Sequence, residues 1–205
     1  MDKTEAVSII SKCAPFYDVL SRSDYIFIFT KDKQKADFIE ISFPANNFYH
    51  LTGVDYSGSA SSFFRDALDN RLNESAISFK NGTTTLKLEV LKSLVKLPES
   101  ARWIGGFDGS GVRLHTDILA GNTCGCMGFI QMKNSKKFIP NTALKGDIRQ
   151  LILQPVGEII ATISKQKKES LYSVAQNINP KVDRKNLLVS LDLIEKLDPG
   201  ILSAL

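Results

Sequence analysis

Cysteine, histidine and tryptophan are scarce in this chain of 205 residues, which has three, two and one of them. An odd cysteine count without framework spacing excludes the disulfide-rich secreted class and fits a reducing compartment. Cys124 and Cys126 stand one residue apart, with His115 upstream and Cys13 remote. Zinc ligand pairs normally sit two to four residues apart and a structural site needs four ligands, so the pattern does not make a zinc module. No metal or other cofactor is expected. No apolar run approaches the roughly 18–20 residues of a bilayer span, and the polar start Met1-Asp2-Lys3-Thr4-Glu5 lacks the form of a secretory signal. A soluble, cytoplasmic protein without a membrane partner is expected. The glycines of Gly105–Gly111 are followed by no Gly-Lys-Ser/Thr, and no Gly-x-Ser-x-Gly occurs. Phosphate-loop enzymes and nucleophile-elbow hydrolases are thereby set aside. Strong charge is missing too: the net +4 is compatible with a polyanionic partner without requiring one.

What is present is enough apolar residue, 43%, to bury a core. Apolar positions at Ala6, Ile9, Ile10, Cys13, Phe16 and Leu20 follow helical spacing, with Thr4 as cap and Pro15 as kink or break. Tyr25–Phe29 and Phe38–Phe43 read as a hairpin around the polar tip Lys31–Lys35. Two helices follow, over 61–72 with Ser59 or Ser61 as cap and over 83–97, the second capped by Thr83–Thr85 and stopped by Pro98. Trp103–Phe107, Val112–Leu119, Gly125–Met132 and Lys136–Ile139 read as strands, and Pro155–Ile163 as strand or helix. Asn177–Lys181 reads as a linker, and Leu187–Leu197 as an amphipathic segment that must dock on its own body or on a partner. The expected fold is α+β: an N-terminal helix, an antiparallel sheet of about five to seven strands, two inserted helices and a C-terminal helix.

His50 lies in Asn47-Phe48-Tyr49-His50-Leu51-Thr52-Gly53-Val54, just after a strand-like run. Phe48 and Leu51 can anchor the backbone while the imidazole stays at a sheet end, and Gly53 suits a change of direction. The longer run from Phe43 to Val54 resembles the F…NF-x-HL-x-G-[LV] signature of a phage-associated nuclease-like family. That family is the fourth from phages to be grouped with barnase, EndoU, colicin-type and RelE ribonucleases. Similarity in element order extends from the helix ending Tyr17-Asp18-Val19-Leu20 to the segment Lys136-Lys137-Phe138-Ile139-Pro140-Asn141-Thr142, and covers roughly residues 5 to 170. Where the family shows Ser followed by Phe, this chain has Thr142-Ala143-Leu144.

The resemblance implies a metal-independent ribonuclease-like domain of phage or mobile-element origin over residues 1–176, with a linker and C-terminal helix over 177–205. It implies a toxin or host-takeover effector acting on RNA in the bacterial cytoplasm. Metal-free cleavage of RNA needs a base for the 2′-hydroxyl, an acid for the leaving oxygen and cations for the phosphorane. His50 fits the proton-transfer role, Lys137 with Lys136 the phosphate clamp, and Thr142 or Asn141 a neutral donor that orients the substrate. Arg113 and Arg102 are further cations for the substrate, and His115 shares the alternating face of Arg113. Solvated turn lysines, an outward arginine and a Thr142 that caps a short helix running to Leu153 are the competing structural readings. The second functional reading is a non-catalytic effector of the same fold, binding a protein partner or a second copy through residues 186–205.

Overall fold

The computed structural model describes residues 1–80, 82–109, 115–184 and 187–204. Helix α1 (Lys3–Ser21) is capped by Asp2, whose side chain accepts from the Glu5 amide at 2.8 Å, rather than by Thr4. Pro15 lies inside this helix without dividing it. The buried stripe Ala6, Ile10, Cys13, Ala14 and Tyr17 carries the helix across the missing hydrogen bond. Strands β1 (Ser23–Thr30) and β2 (Asp37–Ser42) form the expected hairpin. Between them and the rest of the sheet lie α2 (Phe48–Thr52), β3 (Val54–Tyr56), α3 (Ala60–Leu68), β4 (Ile77–Phe79), α4 (Thr83–Leu94) and α5 (Leu97–Ser100). Then follow β5 (Trp103–Gly106), β6 (Ile118–Gly121), β7 (Gly125–Gln131), β8 (Phe138–Lys145), β9 (Gly157–Gln166), β10 (Val174–Ile178), α6 (Leu191–Ile194) and α7 (Pro199–Ala204).

The main sheet runs β1-β2-β8-β7-β6-β5-β9-β10, and β1 also pairs along β9, so seven strands close into a barrel. Strands β5 and β10 both pair with β9, and β10 is the strand outside the closed set. The sheet is antiparallel except where β2 meets β8 in parallel at Ile41 and Phe138. The mixed α+β class agrees with the sequence, but the eight strands exceed the expected range and β3–β4 form a separate ribbon. Pro98 starts a helical turn, α5, instead of ending a helix, as suits proline in a first turn. Segment 155–163 resolves as strand β9, and Thr142 lies within β8 rather than capping a helix.

Strand alternation divides the core. Tyr25, Phe27, Phe29, Ile41, Met127, Phe129 and Ala143 face the helices in the main cluster. Ile26, Ile28, Ile160 and Ile163 point the other way and are covered by Tyr172, Val182, Leu193 and Leu197. The tail therefore buries Val182, Leu193 and Leu197 on its own body, while Leu188 and Leu191 stay exposed. It does so without one long helix: only Leu191–Ile194 is helical in the 187–197 run. Upstream, the Leu188 amide donates to the Gln34 carbonyl at 2.8 Å and the Ala36 amide to the Leu188 carbonyl at 2.9 Å. These loop partners satisfy the backbone in an extended conformation that helical periodicity does not reveal.

Candidate active site

His50 is held by an aromatic anchor. Phe48, fully buried, lies 5.1 Å from the Tyr17 ring and 5.4 Å from Phe64, and Tyr49 packs edge-on against Phe63 at 5.1 Å. With Leu51 these rings sink one side of α2 into the main core and leave His50 on the exposed side. The histidine, expected at a sheet end, thus sits on a five-residue helix. Gly53 ends that helix at φ +69°, a left-handed conformation that favours glycine. A Cβ there would also come within 2.8 Å of the Lys87 side chain. The Thr84 hydroxyl donates to the Gly53 carbonyl, so α4 is latched onto the end of α2.

That latch brings two lysines to the histidine. Lys87 Nζ donates to the His50 carbonyl at 3.0 Å. Lys80 Nζ lies 5.8 Å from the Tyr49 ring centre and pairs with Asp55 at 3.0 Å. Partial burial of the ring, then the charges of Lys87 and Lys80, hold the His50 pKa below its ordinary 6.5. The ring is therefore neutral at neutral pH and able to accept a proton. Burial, reinforced by Lys80, likewise lowers the Lys87 pKa from its usual 10.5.

Strand β8 forms the adjoining wall. The Asn47 side-chain amide donates to the Pro140 carbonyl at 2.6 Å, tying the entry of α2 to this strand. The next residue, Asn141, donates to the His115 carbonyl at 2.6 Å, so segments bearing both histidines are pinned to consecutive residues. Thr142 is buried, and its hydroxyl has no hydrogen-bond partner among the described residues. It lines a hollow of about 260 Å³ together with Lys87, Leu86, Phe107, Leu144 and Leu151.

Of the residues expected from sequence, His50, Asn141 and Thr142 thus gather around α2 and β8. Lys137 does not join them. Its Nζ pairs with Asp24 at 2.6 Å, and Asp24 shares the strand face of Ile26 and Ile28, opposite the face that receives Phe48 and Leu51. Burial alone would raise the Asp24 pKa; hydrogen bonds from Lys137 and Ser42, with the charges of Lys137 and Lys167, outweigh it and keep the pKa below 3.8. Lys137 is thus a partner of a buried carboxylate. Lys136 is solvent-exposed just before β8, and Arg113 lies outside the described residues. Arg102 donates to Asn177 at 3.4 Å, away from α2. Among the described residues no three His, Cys, Asp or Glu side chains converge as metal ligands. Burial pushes the Cys126 thiol up to about 12, while Cys124 is exposed.

Lys80 and Lys87 are what sequence reading missed. Leu86-Lys87-Leu88 scans as an ordinary polar position on an amphipathic helix. Its link to His50 spans 37 residues of chain and has no local signature.

A family model described as phage-Barnase-EndoU-ColicinE5/D-RelE like nuclease4 matches residues 9–179. No curated protein and no solved structure gives a significant match.

Proposed function

Because the chain belongs to the phage-Barnase-EndoU-ColicinE5/D-RelE like nuclease4 family, we propose that it cleaves RNA phosphodiesters without a metal at the surface formed by α2, α4 and β8. The observation that carries this reading is a half-exposed imidazole on α2 with Lys87 bonded to the His50 backbone carbonyl, its pKa lowered by partial burial and then by the charges of Lys87 and Lys80. His50 takes the proton of a 2′-hydroxyl, the freed oxygen attacks phosphorus, and the bond from phosphorus to the 5′-oxygen breaks. The products are a 2′,3′-cyclic phosphate and a 5′-hydroxyl. Lys87 offsets the charge that builds on the phosphorane oxygens, and its lowered pKa suits it to hand a proton to the departing 5′-oxygen. Thr142 and Asn141 orient the strand along β8. Lys87, with Lys80 behind it, takes the phosphate role that the sequence pattern assigned to Lys136 and Lys137. The word phage in the family description supports a phage or mobile-element origin as part of this reading.

The test is incubation of the purified chain with total RNA in EDTA. Wild type should yield fragments ending in 2′,3′-cyclic phosphate, and His50→Ala, folded by circular dichroism, should lose about 10²–10⁴-fold in rate, the worth of a general acid–base group. Intact RNA after incubation with folded wild type would remove the catalytic reading.

A further inference from the structure

The hollow beside Lys87 has walls that phosphate chemistry does not use. Leu86 from α4, Phe107 beyond β5, Leu144 of β8 and Leu151 make it largely apolar, and Leu86 is left 49% exposed in the process. Lys87 and Lys145 are the cations among its lining residues. They differ in how far their charge is already matched. Lys145 pairs with Glu89 at 2.6 Å, whereas Lys87 donates to the neutral His50 carbonyl. Thr142, also on the wall, keeps a hydroxyl without a partner among the described residues.

Resting on the nuclease reading, we propose that this hollow seats one unpaired nucleobase of the RNA whose phosphate lies at Lys87, so that the substrate is single-stranded. Its volume, about 260 Å³, falls just below the range of about 300–1,000 Å³ that encloses a drug-sized ligand. That is room for a single flat ring system. The faces of a base are apolar and polarizable, and an aromatic wall such as Phe107 is the usual complement of an unstacked base. The phosphate on the ribose of that base meets Lys87, and Lys87 touches the backbone of His50. Base, phosphate and proton acceptor then follow in the order that a nucleotide requires. A base within a duplex has both faces stacked and its edge paired, and cannot enter.

The experiment is equilibrium binding of the four ribonucleoside 3′-monophosphates and of ribose 5-phosphate to the full chain. At least one nucleotide should bind tenfold or more tightly than the sugar phosphate. Leu86→Gln, at an exposed helix position, should remove that excess and leave sugar-phosphate binding unchanged, and Phe107→Ala should do the same. Lys87→Met should weaken nucleotides and sugar phosphate alike. Nucleotides that bind no better than ribose 5-phosphate, or an excess that survives both wall substitutions, would overturn the proposal. The outcome is separable from catalysis. Base-dependent binding by a chain that leaves RNA intact keeps the base site and removes the nuclease reading; cleavage without base-dependent binding does the reverse.

Discussion

The neutral ring at position 50 and the paired carboxylate at position 24 respond to acid for different reasons. The lowered pKa of His50 means that its cationic form is disfavoured in the folded state. Stability linked to this group is therefore complete above the unfolded value of about 6.5 and is lost as pH falls through the folded pKa. As a base His50 should remain active below pH 6.5, with an acid limb set by the same lowered pKa. Lys87→Met should raise the His50 pKa towards its ordinary value and move that limb upwards, as read by NMR titration of the ring. Asp24 has a depressed carboxylate pKa, so its contribution holds above about pH 3.9 and is lost as pH falls through the folded value. Lys137→Met strands Asp24 without its main partner and should cost about 1–3 kcal/mol in denaturant melts. The cleavage rate per folded molecule should stay within about twofold, since the electrostatic loss falls off with distance and screening. At this scale the histidine was legible in its motif and the lysines were not. Lys137 carries the family-like spacing yet bonds to a strand reached only through the β1–β2–β8 order, whereas Lys87 has no spacing signal at all.

Among elements, α2 is one that cannot stand alone. Five residues cannot hold a helix in water, so its geometry derives from the rings beneath it and the latch from α4. Phe48→Ala should cost about 3–5 kcal/mol, as for other buried aromatics, and should abolish cleavage where the chain still folds. Gly53→Ala should cost about 1 kcal/mol or more from the left-handed backbone alone. It should also push Lys87 aside and shift the His50 NMR titration upwards. Sequence periodicity found β1, β2, β7 and the cap of α3, where Ser59 accepts from the Ser62 amide at 3.1 Å as expected. Those elements are long or carry their own end signals. It missed β3, β4 and β10, which are three to five residues long and take their conformation from a neighbouring strand. In the tail the hydrophobic spacing implies one amphipathic helix, but only Leu193 and Leu197 of the 187–197 run are buried and only Leu191–Ile194 is helical, because the loop at 34–36 competes for its backbone groups.

For the whole molecule, the C-terminal segment behaves as part of the body. Leu193 and Leu197 are buried against the outer sheet face, and Lys196 pairs with Glu40 at 2.9 Å. Removing the residues after Pro180 strips that face, and each lost leucine burial is worth about 1.5–3 kcal/mol. The shortened chain should show a lower melting temperature and bind an apolar dye that the full chain does not. An unchanged melt would mean that the tail is free to serve a partner instead. The closure of the sheet has a temporal consequence. Strand β1, the first to be synthesised, is flanked along its length by β9, so the ring cannot be completed until the chain has been made to Gln166. Pairings between such distant segments form late, because ordering the intervening chain has to come first. A ribosome that stalls short of that point releases a product whose β1 edge is unpaired and whose helices rest on an open sheet. The closed barrel on which α2 and its histidine rest is thus complete only after Gln166 has been made.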